Sequence, residues 1–351
     1  MMAERVEGKW VAMFARAFAL CGIGAGHVVA VLCETQSREV NVRLAELALA
    51  ELGARPFQVR IPSPPLEDPV AVRSTGASAA IGGLEPVVAG LARTHAVIDC
   101  TVEGLLHSPE LPAILAGGTR LYMISNEHPE VLERLQPSAD LRPTVERAKK
   151  RLAAAGEMTV TSTAGTRLTV RVAGAPVRGA AGFVDQPGQV GYWPGGLVLC
   201  FPRAGSVQGT LVLDEGDLNL TFKRYVERPV TLRIEDDRVV AIEGRGLDAD
   251  LLRDYYLAWR DPNAYGVSHV GWGLNPAARW DSLVMYDKTQ VNGTEFRAFA
   301  GNFLFSTGAN EHAGRFTRGH FDFPMRRCTI ALDGVAVVRE GTLLEDGAAP
   351  A

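Results

Sequence analysis

Hydrophobic residues recur in two rhythms along this chain, and the rhythm changes near residue 155. Before that point, apolar runs short enough for buried strands alternate with stretches of helical period. A helical segment over residues 4–20 leads to the run Val28-Val29-Ala30-Val31-Leu32, long enough for a buried strand. Val40, Leu44, Leu47 and Ala48 then return at helical spacing, with Gly53 where a left-handed cap would sit. Residues 57–61, 96–99 and 120–124 read as further strands, and 84–91 and 109–116 as helices. Strands separated by helices of this length favour a parallel sheet with helices on both faces. Ligands on such sheets bind beyond the carboxyl ends of the strands.

A charged helix beginning near Pro143 and running to Gly156 is the expected connector. Beyond it the period drops to two. Residues 158–162 and 167–172 alternate about a polar turn, as do 230–234 and 239–243, and 330–337 folds back at Asp333-Gly334. One helix interrupts these hairpins: Leu251, Leu252, Tyr255 and Trp259 share a face, and Asp261-Pro262 ends it. The expected architecture is α/β, with an N-terminal parallel-sheet α/β domain over 1–155. A C-terminal α+β, mostly antiparallel, metal-binding domain follows over 156–351. No internal repeat is present, and the tail EDGAAPA is the one low-complexity piece.

A length of 351 residues suits two domains, and 47% hydrophobic with 22% charged residues is an ordinary globular balance. The net charge of -4 is spread along the chain without a basic stripe, which excludes nucleic acid and an anionic membrane as expected partners. Five scattered cysteines, none in a C-x-x-C pair, argue against a disulfide framework and a thiolate zinc site. The apolar stretch over 10–26 carries Arg16 and is too short to span a bilayer, so a buried amphipathic helix and a cytoplasmic location are expected. Cys21–Gly26 mimics a dinucleotide fingerprint, but it precedes the first strand instead of joining strand to helix. A GxSxG elbow and a P-loop are absent, and Asn292-Gly293-Thr294 is a glycosylation triplet without secretory context.

Of the seven histidines, His320 stands two residues before Asp322 in GHFDFP. On an extended segment the two side chains share one face, which supplies two-thirds of the facial triad of non-heme iron(II) oxygenases. The rival reading is a solvated pair on an edge strand. His269, in YGVSHVGWGLNP, is surrounded by glycines that suit close backbone approach, and it is the candidate third ligand. Its rival is a core histidine bonded to backbone. His107, in the loop after the 96–99 strand, is placed to move a proton, or else to cap the following helix. Arg297, in the apolar run EFRAFAGNFLFSTG, reads as a clamp for an anionic oxygen or as half of an internal salt bridge. Trp193 could stack on a planar ring or fill the core.

At these residues the chain resembles the 2,5-dihydroxypyridine 5,6-dioxygenases of bacterial nicotinate and picolinate breakdown. The matching stretches are LLHSPE, WPGG, GTLVLDEGD, YGVSHVGWGLNP, RAFAGNFLFSTG and the H-x-D pair, in the same order and densest from Trp193 to Leu332. The resemblance implies a fold shared with certain metallo-aminopeptidases and an Fe(2+) cofactor held by His269, His320 and Asp322. It also implies His107 as catalytic base and Arg297 in the substrate pocket. Two positions depart from the family pattern: Ala180 where a glutamate is expected, and Tyr192 where a histidine is expected. Both lie at the implied substrate site, with Trp193, and the loss of a carboxylate and an imidazole there should change which ring substituents bind.

The reaction so implied is an extradiol-like opening of a hydroxylated N-heteroaromatic ring. A small aromatic substrate and O2 are the partners, and a homo-oligomer is the expected assembly. The first rival is a metallo-hydrolase of aminopeptidase-like fold, which needs further carboxylates that Glu295 and Asp281 would supply. The second is a binding protein that keeps the cleft without turnover.

Overall fold

The computed structural model describes residues 4–65 and 78–344, so the EDGAAPA tail lies outside the described residues. Arg55–Ile61, Val28–Glu34, Ala96–Asp99, Arg120–Ile124 and Val190–Trp193 lie side by side in that order, all parallel. Val29, Val31 and Cys33 face the helices Gly8–Leu20 and Glu39–Glu51, whereas Ala30 and Leu32 face Glu85–Leu91 and Leu111–Ala116. Coverage on both faces explains why the central strands read as unbroken apolar runs. The connector helix is Leu141–Ala154. The parallel sheet nevertheless takes its last strand from 190–193, so the two halves are interleaved there.

The antiparallel hairpins assemble into an eight-stranded sheet, from Arg238–Glu243 at one edge to Thr342–Leu343 at the other. Asp333 and Gly334 both have positive φ, 48° and 82°, as the tight turn read from the sequence requires. The Leu247–Trp259 helix packs into the same core through Leu252, Tyr255 and Tyr256.

A third sheet was not legible as such. Phe321–Met325, Phe303–Thr307, Val267–Gly273, Leu197–Cys200 and Val177–Ala180 lie in that order, all antiparallel. Apart from Val177–Ala180, its strands are too thoroughly buried to alternate. Glycine makes close approach feasible here: a Cβ on Gly271 would stand 2.0 Å from the carbonyl oxygen of Val198 on the neighbouring strand, and one on Gly273 would stand 2.0 Å from that of Phe299, just after the helix Thr294–Ala298. Among the described residues no helix is long and apolar enough to cross a membrane.

Candidate metal centre

The register of the third sheet decides which side chains meet. Ser306 pairs with Asp322 and Leu304 with Gly271, while Gly271 also pairs with Leu199, which pairs with Arg178 on the far edge strand. Because side chains alternate between faces, one face of this sheet gathers these residues into a single wall. His269 extends from the strand Val267–Gly273, and His320 immediately precedes the strand that bears Asp322.

His269, His320 and Asp322 offer ligand atoms that all lie within 4.8 Å of one another. His269 Nε2 is 3.6 Å from Asp322 Oδ1, and His320 Nε2 is 3.3 Å from Oδ2. Neighbouring ligands of a six-coordinate ion at about 2.1 Å are roughly 3 Å apart, so little adjustment is needed to close on a cation. Two imidazoles and one carboxylate are also the donor set of a facial triad. Glu295 and Asp281 do not join them. Arg134 grips both oxygens of Glu295 at 2.6 and 2.7 Å, and Asp281 is paired with Arg279 at 2.6 Å. Among the described residues the cluster is therefore the three-ligand set alone.

The surroundings prepare these groups for a cation. Burial pulls the His269 pKa down to about 3, only partly opposed by Asp322, so the ring is neutral and its lone pair available. Burial alone would raise Asp322, but the Arg297 charge, with His320 second, outweighs it and holds the carboxyl well below its usual range. Arg297 Nε donates to Asp322 Oδ2 at 2.6 Å, so this arginine is in part the internal salt bridge weighed above.

Hydrogen bonding also fixes which ring nitrogen faces inward. Ser268 donates its hydroxyl to the Ala309 carbonyl at 2.6 Å, so at 3.1 Å it accepts from His269 Nδ1. Nε2 is then unprotonated. It faces Ser306 Oγ at 2.9 Å, and that hydroxyl donates to Asp322. No hydrogen remains for the Nε2 contact, which leaves a lone pair aimed into the cluster. A metal ion fits that need.

His107 comes from the other half of the molecule. It follows the carboxyl end of Ala96–Asp99, and its ring centre lies 5.6 Å from that of His320. The cluster thus sits where the parallel sheet's carboxyl edge meets the third sheet. The ring is exposed at the cleft, yet burial by the protein around it, with His320 second, pushes its pKa down to about 3. Water at the exposed face moderates this effect without reversing it. Tyr192 shares the cleft, and burial raises its hydroxyl against the opposing charges of Arg297 and Arg178.

Trp193 points the other way. Adjacent residues of a strand face opposite sides, and its ring is fully buried 5.1 Å from that of Phe14, donating to the Leu135 carbonyl at 2.7 Å. It fills the core. Ala180 ends the edge strand of the third sheet, paired with Leu197. Among the other histidines, His128 caps a helix by accepting from the Glu130 amide, and His27 stacks on His95 at the opposite, amino end of the parallel strands. A shallow groove of about 480 Å³ lined by Met13, Arg16 and Gln136 contains none of the cluster residues.

Ser268, Ser306 and Arg178 were not singled out from the sequence. Ser306 carried a faint signal, a hydroxyl amid FLFST, but only strand register shows that it opposes Asp322.

A parallel α/β layer joined to an antiparallel layer, with a two-histidine, one-carboxylate cluster at their junction, gives this fold a group of side chains that could hold a metal ion. The model of the NicX family, described as 2,5-dihydroxypyridine 5,6-dioxygenase, matches residues 9–345. A 2,5-dihydroxypyridine 5,6-dioxygenase of Pseudomonas putida is 38% identical over 339 residues, covering 95% of each chain. A solved structure of 2,5-dihydroxypyridine dioxygenase from Pseudomonas putida has a TM-score of 0.90 at 35% identity, covering 99% of each chain. AmpT from Thermus thermophilus has a TM-score of 0.58 at 15% identity, covering 96% of this chain and 99% of its own, a likeness of fold alone. This chain belongs to the 2,5-dihydroxypyridine 5,6-dioxygenase family.

Proposed function

We propose that this chain is an iron(II)-dependent dioxygenase that opens 2,5-dihydroxypyridine between carbons 5 and 6, giving N-formylmaleamate. The observation that carries this reading is the gathering of His269, His320 and Asp322 within one 4.8 Å cluster beside His107, in a chain that matches the family over residues 9–345. Iron(II), when bound by the two imidazoles and the carboxylate, supplies the redox chemistry that lets dioxygen react with an electron-rich ring. Both oxygen atoms end in the product, so the balance needs no further reductant.

The chain's own groups do the rest. His107, neutral at physiological pH, accepts the proton of a ring hydroxyl and so raises the electron density of the ring. Arg297 keeps Asp322 ionised and presents positive charge to an oxyanion at the cleft. Tyr192 and Ala180 shape the wall against which the ring lies. Ser268 holds the His269 tautomer. Ser268→Ala is expected to weaken iron(II) affinity about 10- to 100-fold, the usual cost of losing such an outer partner. Competition with a chelator measures this, and unchanged affinity would reduce Ser268 to a packing role.

The decisive assay is anaerobic reconstitution with iron(II), followed by oxygen-electrode measurements over dihydroxypyridines and dihydroxybenzenes. Uptake of one O2 per 2,5-dihydroxypyridine is expected. Peptide cleavage without oxygen uptake on any ring would overturn the proposal in favour of the hydrolase.

A further inference from the structure

We infer that Arg178 binds an anionic substituent of the substrate, so that the ring preferred by this chain carries a carboxylate besides its two oxygens. This assignment rests on the dioxygenase reading above and specifies its substrate class.

Arg178 lies on the edge strand Val177–Ala180 of the third sheet, and the register Arg178–Leu199–Gly271 carries it onto the face that bears the cluster. Its guanidinium carbon is 5.7 Å from the centre of the Phe201 ring, and that ring is 5.8 Å from the His269 ring. The cation is therefore no farther from His269 than these two spans laid end to end, within reach of a substituted six-membered ring docked at the cluster. Its charge is felt at both His107 and Tyr192, which brackets it on the cleft side.

The two arginines of the cleft differ in what neutralises them. Arg297 is matched by the buried Asp322. Among the described residues Arg178 has no carboxylate partner, and its side chain is exposed on the wall. Packing against Phe201 restrains the guanidinium while leaving N–H edges available, the arrangement suited to planar, two-point recognition of a carboxylate. Ala180, two residues along on the same side of the strand, adds only a methyl group and leaves room for a substituent there.

The test uses iron-loaded protein with 2,5-dihydroxypyridine and its 3-, 4- and 6-carboxylate derivatives. Anaerobic Kd and aerobic kcat/KM are both measured. At least one carboxylate should be preferred over the parent ring by about tenfold or more, the value of one charge-assisted pair. Arg178→Gln should cut that preference about 10- to 100-fold, and Arg178→Lys should restore part of it. A protein that favours the parent over all three acids, or a Gln variant with unchanged preference, would overturn the assignment. Failure of every ring to draw oxygen would instead count against the dioxygenase reading, while the anaerobic Kd values still judge Arg178.

Discussion

Asp322→Asn is expected to leave a folded chain that no longer retains iron(II), with oxygen uptake reduced roughly a thousandfold or more. Even a partner that only supports a ligand is worth about 10- to 100-fold, and Asp322 supplies the sole carboxylate of the cluster. Asparagine is the informative substitution because Asp322 also accepts from Arg297 and Ser306. Alanine would strand that arginine, and breaking a buried ion pair from one side costs about 3–5 kcal/mol. His320→Gln is the second variant, since His320 is only half-buried and its loss disturbs the core less. Metal analysis after anaerobic desalting reads the outcome. A variant holding one iron per chain would place the metal elsewhere, and the triad assignment would fall.

What the sequence disclosed follows from which signals are local. Apolar runs such as 28–32 and period-two hairpins such as 330–337 depend on neighbours a few residues apart, and both elements form where the pattern places them. The H-x-D pair is equally local, so its convergence could be argued before any coordinates. His269 could be named because glycines crowd it, yet its meeting with Asp322 depends on Val267–Gly273 lying beside Phe303–Thr307, and on that strand lying beside Phe321–Met325. Such register is set by packing across more than fifty positions of chain, which no single-sequence rhythm encodes. The third sheet escaped reading for the same reason: apart from the short edge strand Val177–Ala180, its strands are buried on both faces and offer no alternation. Trp193 and Tyr192 make the point at smallest scale. Both looked fit for the cleft, and adjacent places on one strand allow only one of them to face it.

The exposed His107 ring is where the chemistry separates from the metal. His107→Ala should lower turnover about 10²- to 10⁴-fold, the range of general-base assistance, while iron content stays at the wild-type level. Its pH behaviour follows from the sign of its shift. The folded pKa lies below the ordinary 6.5, so the ring remains an unprotonated base as pH falls through that value. After correction for ionisation of the substrate, kcat/KM should therefore hold nearly level from pH 7.5 to 6 instead of halving at 6.5. Stability carries the opposite face of the same linkage. Between 6.5 and the lowered value the unfolded chain binds more protons than the folded one, so the apoprotein loses stability as pH falls across that window. His269, lowered to about 3 by burial, contributes in the same direction, so His107→Ala should flatten the slope without abolishing it. An acid limb centred at 6.5 that persists in the alanine variant would assign the proton transfer to another group.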